Sequence, residues 1–212
     1  MKVAVLSESP ADEAAVFVLV QGLLGLEIER VALPTPKTRG WQAVLKSVRP
    51  ALILLHYQTD ADALLVTLDS DESPVHQRGH DEPGGADPLC RLCRLRGIVA
   101  AAQAELRPRQ GRGPIKTALG VAVPAVEAWC LAGLDPHITE AAWIQAMQCR
   151  SLPYTKNDLK RRMYGTDRPS LLLAEECAIK QARRLVEAGQ LPYLEQLFPA
   201  GFGALASEVR GW

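Results

Sequence analysis

Asp69 and Asp71 close an apolar run, Leu64-Leu65-Val66-Thr67-Leu68, and a third acid, Glu8, closes another that begins at Lys2. Side chains two apart on an extended segment point the same way, so Asp69 and Asp71 can face one point and offer hard oxygen ligands to a cation. Mg²⁺, or Mn²⁺, is the ion such donors suit. The stretch Asp69-Ser70-Asp71-Glu72-Ser73-Pro74 also has the composition of a polar turn after a strand. From these residues alone both readings stand.

The elements that would position these acids are read from periodicity and punctuation. Lys2 to Ser7 forms a first strand with Glu8 at its C-terminal end. Ser9, Pro10 and Asp12 then give agreeing helix-start signals: a cap, a proline in the first turn and an acid three residues after the cap. That helix runs to about Leu24 and holds Glu8 in the strand-to-helix turn, beside the positive end of the helix, where an ionised carboxylate is favoured. Leu26 to Leu33 alternates and predicts a second strand, ended by Pro34 and Pro36. A loop runs through Gly40, a short helix spans Trp41 to Val48, and Pro50 opens a further turn or helix to Thr59.

The apolar run at Leu64 is the third strand, and strand, helix, strand, helix, strand is the order of a parallel α/β sheet. Residues 73–88 form a long polar loop beside the acids, the kind of loop that is often functional. Leu89 to Leu106 is helical with arginines on its polar side, Ile115 to Val123 supplies a fourth strand, and Pro124 starts a helix carrying Glu127 and Trp129. From Asp135 onward the pattern is helical: about Thr139 to Cys149, Lys156 to Tyr164, and Ser170 to Ala188, where Leu171, Leu172, Cys177, Ala178, Leu185 and Val186 make a candidate buried stripe. Tyr193 to Trp212 is expected to dock on the sheet as a short helix. The expected fold is α/β, a mainly parallel sheet flanked by helices over 1–134, with a helical C-terminal subregion, 135–212, packed on that core.

Composition is that of an ordinary globular chain, 48% hydrophobic and 23% charged. Five unevenly spaced cysteines without a signal-peptide pattern argue for reduced thiols and a cytoplasmic protein. The longest apolar run, Ala14 to Leu26, is broken by Gln21 and two glycines, so a membrane partner is not expected. The zero net charge hides an asymmetry. Residues 1–88 hold 7 Lys/Arg against 13 Asp/Glu, whereas residues 91–116 hold 7 Arg/Lys against Glu105 alone. Acids to hold cations followed by bases to hold phosphates suit a metal-dependent enzyme acting on a polyanion. Arginines on the solvated face of a helix would give the same count.

Glu8 in the first strand-to-helix turn, the Ser-Pro-x-Asp-Glu helix start, and Asp69-x-Asp71 after the third strand together resemble the Toprim domain. That is the catalytic module of type IA and type II topoisomerases, bacterial primases and OLD-family nucleases. The match lies in residues 2–14 and 64–72, with compatible element order over roughly 1–123. The resemblance implies that Glu8 is a metal ligand or general acid/base and that Asp69 and Asp71 coordinate Mg²⁺. Ser9 stands where the family usually has Gly, a departure the Toprim-like nucleases tolerate better than the topoisomerases. The chain is also too short to hold the companion domains of a topoisomerase or primase. Val123-Pro124-Ala125-Val126-Glu127-Ala128-Trp129 and the basic Lys156-Asn157-Asp158-Leu159-Lys160-Arg161-Arg162 are similar to segments of small stand-alone bacterial Toprim proteins, some of which accompany phage-defence genes. By that resemblance Glu127 is a further acid at the catalytic edge.

The expected chemistry is Mg²⁺-dependent phosphodiester hydrolysis in DNA or RNA, with Glu8, Asp69, Asp71 and Glu127 as catalytic acids. Lys156, Lys160, Arg161, Arg162, Arg94 and Arg112 are the candidate contacts to the nucleic-acid backbone. The alternative is a non-catalytic nucleic-acid-binding or regulatory subunit of a defence complex with an ATPase partner. A third reading starts from His76-x-x-x-His80 and Cys90-x-x-Cys93, whose donor types and spacing are compatible with tetrahedral zinc. Against it, the order of the pairs is reversed from that of a zinc finger. The two cysteines also open a helix, where small apolar residues commonly belong to the core.

Overall fold

In the computed structural model, which describes residues 1–33 and 40–212, the chain is organised on β3 (Ala63–Asp69), a strand buried at every position. Burial on both faces marks a strand inside a parallel sheet covered by helices on either side, and explains its unbroken apolar sequence. β1 (Lys2–Leu6), β2 (Glu29–Val31), β3 and β4 (Lys116–Ala122) form one all-parallel sheet in the order β2-β1-β3-β4. The fold class is therefore α/β, as expected. Alternate strand residues feed separate cores: Val3, Val5, Ala63 and Leu65 face one layer, and Ala4, Leu6, Leu64, Val66 and Leu68 the other.

The second layer is built by α2 (Trp41–Gln58) and α3 (Arg91–Glu105). The expected short helix to Val48 and the separate turn or helix opened by Pro50 are one continuous helix. Pro50 sits inside α2, whose Val44, Leu45, Val48, Ala51, Leu52 and Leu55 are all buried, so tertiary packing carries the helix through the missing N–H. On the first layer, α1 (Pro10–Leu24) starts as its sequence predicts, the Ser9 side chain accepting from the Asp12 amide. Three further helices, α4 (Val126–Cys130), α5 (Glu140–Cys149) and α6 (Lys156–Tyr164), lead to α7 (Leu171–Glu187), which packs along α1. α8 (Leu191–Leu197), a π-turn (Pro199–Gly203) and α9 (Ala204–Arg210) follow, and α9 packs on β4.

Several expectations are corrected. β2 covers Glu29–Val31 instead of Leu26 to Leu33, with Leu26 exposed; the expected stops at Pro34 and Pro36 lie outside the described residues. On α7 the buried stripe is Ala174, Ala178, Ala182 and Leu185, whereas Leu171 and Leu172 are 57% and 68% exposed. Small side chains let α7 approach α1 closely; a Cβ on Gly22 would lie 2.6 Å from Val186. The outer edge of β4 is covered by the chain that follows it: Glu208 Oε2 accepts from the Leu119 amide at 2.8 Å, and Trp212 Nε1 donates to the Thr117 carbonyl at 3.3 Å. Among the described residues no helix is long and apolar enough to cross a membrane.

Candidate functional site

In strand order β2-β1-β3-β4 the chain leaves β1 towards one side and then returns to the other, so the sheet has its switch point between β1 and β3. The crevice beyond the C-terminal ends of the strands at such a point is where open α/β sheets bind ligands. Glu8 follows β1, and Asp69 ends β3. Glu8 Oε1 accepts a hydrogen bond from the Asp69 amide at 3.0 Å, which ties the two strand ends together. Asp69 Oδ1 accepts from the Val126 amide at 3.2 Å, and the Asp71 amide donates to the Pro124 carbonyl at 3.0 Å. The segment after β4 thus closes over the end of β3, and α4 begins only at Val126, two residues later than Pro124 suggests. Asp71 holds a left-handed backbone, φ 47°, a conformation Asp tolerates better than most residues.

Lys156, expected as a contact to a nucleic-acid backbone, lies inside this acid cluster. Its Nζ is 2.6 Å from Asp69 Oδ2 and 2.6 Å from Asp71 Oδ1. Burial works against its charge, but the two carboxylates outweigh that and hold the ammonium above the ordinary lysine value. Arg91, part of the basic stretch expected to hold phosphates, is the second cation. Its guanidinium donates to the Asp69 carbonyl at 2.6 Å, pairs with Asp71 Oδ2 at 2.7 Å and stands 3.9 Å from Glu8 Oε1.

Two further acids, Asp12 and Glu127, are buried at the same edge as Glu8. Burial and the Asp69 carboxylate push Glu8 up to about 7. Asp12, taken from sequence only as a helix-start acid, is buried at the same edge; burial first, then Asp69 and Glu127, push it well above its ordinary value. Its Oδ2 accepts from the Ser9 hydroxyl at 2.7 Å. Glu127 is raised by burial and by Asp69, and Tyr164 donates to its Oε1 at 3.3 Å. Asp69 too is raised, burial winning over Lys156. In Asp71 the balance is reversed: Lys156 and Arg91 overcome burial and hold it below the usual range. Glu8, Asp12, Asp69, Asp71 and Glu127 thus share two close cations, and burial leaves each of them except Asp71 raised.

The remaining basic candidates divide. Arg94 lies over the Trp41 ring at 4.7 Å, as does Arg91, and both line a cavity of about 720 Å³ with Asp71, Trp143 and Lys156. Lys160 follows Lys156 one turn on, and its charge opposes, without reversing, the rise of Glu127. Arg161 pairs with Asp158 at 3.3 Å and Asp167 at 3.0 Å, and Arg162 pairs with Asp135. Arg112 is at the opposite end of the sheet, donating to the Leu55, Thr59 and Ala61 carbonyls around the C-terminus of α2. A guanidinium there satisfies helix-end carbonyls.

The expected convergence of Glu8, Asp69 and Asp71 on one point is incomplete, because Lys156 and Arg91 sit among them. Among the described residues the side chains whose metal-binding atoms do converge are His76, His80, Cys90 and Cys93, all within 4.8 Å of one another. Compared with protein-family models, curated proteins and solved structures, the chain has no match.

Proposed function

We propose that this chain is a Toprim-like, Mg²⁺- or Mn²⁺-dependent phosphodiesterase that cuts nucleic acid. The observation that carries the reading is the acid cluster at the β1/β3 switch point, where Lys156 Nζ stands 2.6 Å from both Asp69 and Asp71. An ammonium held by two carboxylates marks a position that favours a cation, and the donors there are the hard oxygens that Mg²⁺ takes. Asp69, Asp71 and Glu8 would hold the metal. When bound, it would supply an activated water and neutralise charge on the transferring phosphoryl group. Arg91 and Arg94, on the cavity wall beside Asp71, would bind and orient the phosphodiester. Lys156, on a flexible four-carbon stem, would exchange its carboxylate partners for the substrate's phosphate. Glu8 Oε1 is engaged by the Asp69 amide, which leaves Oε2 for the cation or for a proton.

The same Lys156 contacts favour a second reading, a nucleic-acid-binding or regulatory subunit in which the ammonium is the permanent counter-ion and no metal enters. One experiment separates them. Purified chain is incubated with duplex DNA, single-stranded DNA and RNA in Mg²⁺ or Mn²⁺, beside an Asp69→Ala variant checked for its fold by circular dichroism. The enzyme reading expects cutting that a chelator stops and that Asp69→Ala lowers by about a thousandfold, the equivalent of roughly 4 kcal/mol of lost metal-assisted stabilisation. Equal cutting by the variant overturns it. Binding without cutting supports the second reading.

A further inference from the structure

We propose that His76, His80, Cys90 and Cys93 form a structural zinc site, separate from the carboxylate cluster. The four ligand atoms lie within 4.8 Å of one another. Cys90 Sγ is 3.7 Å from His76 Nδ1, Cys93 Sγ is 3.5 Å from His76 Nδ1, and Cys93 Sγ is 3.6 Å from His80 Nδ1. Zinc–sulfur and zinc–nitrogen bonds meeting at a tetrahedral angle require a sulfur-to-nitrogen edge of about 3.6 Å. All three separations match that edge. Two imidazoles with two thiols are soft and borderline donors, which select zinc over Mg²⁺.

The surroundings agree. His76 presents Nδ1 to the sulfurs, and its Nε2 lies 3.1 Å from Asp81 Oδ1 and 3.1 Å from Arg96 Nη1; with zinc on Nδ1 the proton would sit on Nε2 and point to Asp81. A carboxylate on the far nitrogen of a ligating histidine fixes its tautomer and orientation. Asp81 is in turn held by Arg96 at 2.6 Å. The set has four protein donors and no open position, the pattern of a structural site rather than a catalytic one.

What the metal would hold is the long loop after β3. His76 and His80 belong to that loop, in and beside the 3₁₀ turn Arg78–Asp81, whereas Cys90 caps α3 and Cys93 sits in its first turn. Arg91, between the two cysteines, is the residue that pairs with Asp71. Zinc would therefore clip the loop to the helix that aims Arg91 at the carboxylates.

The test uses the full chain, produced with added zinc and purified in reducing buffer without chelator. Elemental analysis is expected to find about one zinc per chain, and cobalt exchanged into the site to give the intense visible spectrum of a tetrahedral, thiolate-bound ion. Cys93→Ser and His80→Ala should each lose stoichiometric metal, while Cys149→Ser, which changes an exposed cysteine elsewhere, keeps it. Asp81→Ala should keep the metal but bind it about 10- to 100-fold more weakly. Only trace zinc after loading, an octahedral cobalt spectrum, a Cys90–Cys93 disulfide in the purified chain, or full zinc retention by Cys93→Ser would each overturn the site. The cobalt spectrum of the unsubstituted chain decides even where a variant fails to fold. Each readout is independent of phosphodiester cleavage.

Discussion

Replacing Lys156 with Met removes the ammonium and keeps an apolar stem, so the variant isolates what the charge does. Lys156 donates two charge-assisted hydrogen bonds at 2.6 Å, to Asp69 and Asp71. Bonds to charged groups contribute about 1.5–3 kcal/mol each. The Lys156 side chain keeps 33% of its exposure and Asp71 34%, so water takes over part of the loss at that pair. Asp69, at 9%, has no such relief. A net destabilisation of about 2 kcal/mol follows, or a fall in Tm of about 4–8 °C for a chain of this size. The carboxylates released by the substitution then form a vacant anionic pair. A cation binding only the folded state contributes about 2.7 kcal/mol at a hundred times its dissociation constant, enough to offset the loss. Thermal unfolding by calorimetry, in chelator and then in millimolar Mg²⁺, should show the variant regaining its deficit and the unsubstituted chain gaining less. If Lys156→Met is as stable as the parent in chelator, or if neither Mg²⁺ nor Mn²⁺ raises its Tm, the idea that Lys156 fills a cation position is refuted.

Away from the site, Glu140 is buried and accepts from the Ala200 and Gly201 amides, both at 2.9 Å, yet burial pushes its carboxyl above the ordinary 4.5. A folded-state value above the unfolded one gives stability that is full below 4.5 and is lost as pH rises through the folded value. Denaturant titrations should therefore find the stability difference between the parent and Glu140→Gln largest in acid and shrinking towards neutrality; a difference that grows with pH contradicts this. Gly201→Ala would bring a Cβ to 2.8 Å from the Val121 carbonyl, and should cost about 1–3 kcal/mol in the same assay. Arg112→Gln should lower stability by about 1–2 kcal/mol, through lost bonds to the end of α2, and leave nucleic-acid affinity unchanged. A drop in the salt dependence of binding by about one phosphate contact, with stability intact, would return Arg112 to the nucleic-acid interface.

Much of the sheet was legible in sequence because its signals are local. The Ser9-Pro10-Asp12 start and the apolar run into Asp69 depend on neighbours a few residues away, and both stand. What was not legible depends on distance along the chain or on size rather than polarity. Lys156 meets Asp69 across 87 residues, and its Lys-rich helix reads equally well as a phosphate-binding face. Arg112 reaches the end of α2 from more than fifty residues away. On α7 polarity alone predicts the large leucines as the buried stripe, but close approach to α1 selects the alanines. Asp12 looked sufficient as a helix-start acid, and only its burial beside Glu8 reveals a second place in the cluster. Pro50 misled because a proline's local cost can be outweighed by a helix buried on most of its length.

The cover on β4 has a consequence for how copies of this chain behave in concentrated solution. An unpaired strand edge is a template for adding a strand from another molecule. β2, at the far side of the sheet, pairs over only Glu29–Val31 and carries exposed charge, which makes it a poor template. β4 is long and apolar and would be a good one, but Glu208 and Trp212 occupy its Leu119 amide and Thr117 carbonyl, and Arg96 of α3 fastens Glu208 at 3.3 Å. The Glu208 and Trp212 side chains thus act as a guard against sheet-to-sheet association, and a double substitution that removes both would open the β4 edge to strand addition.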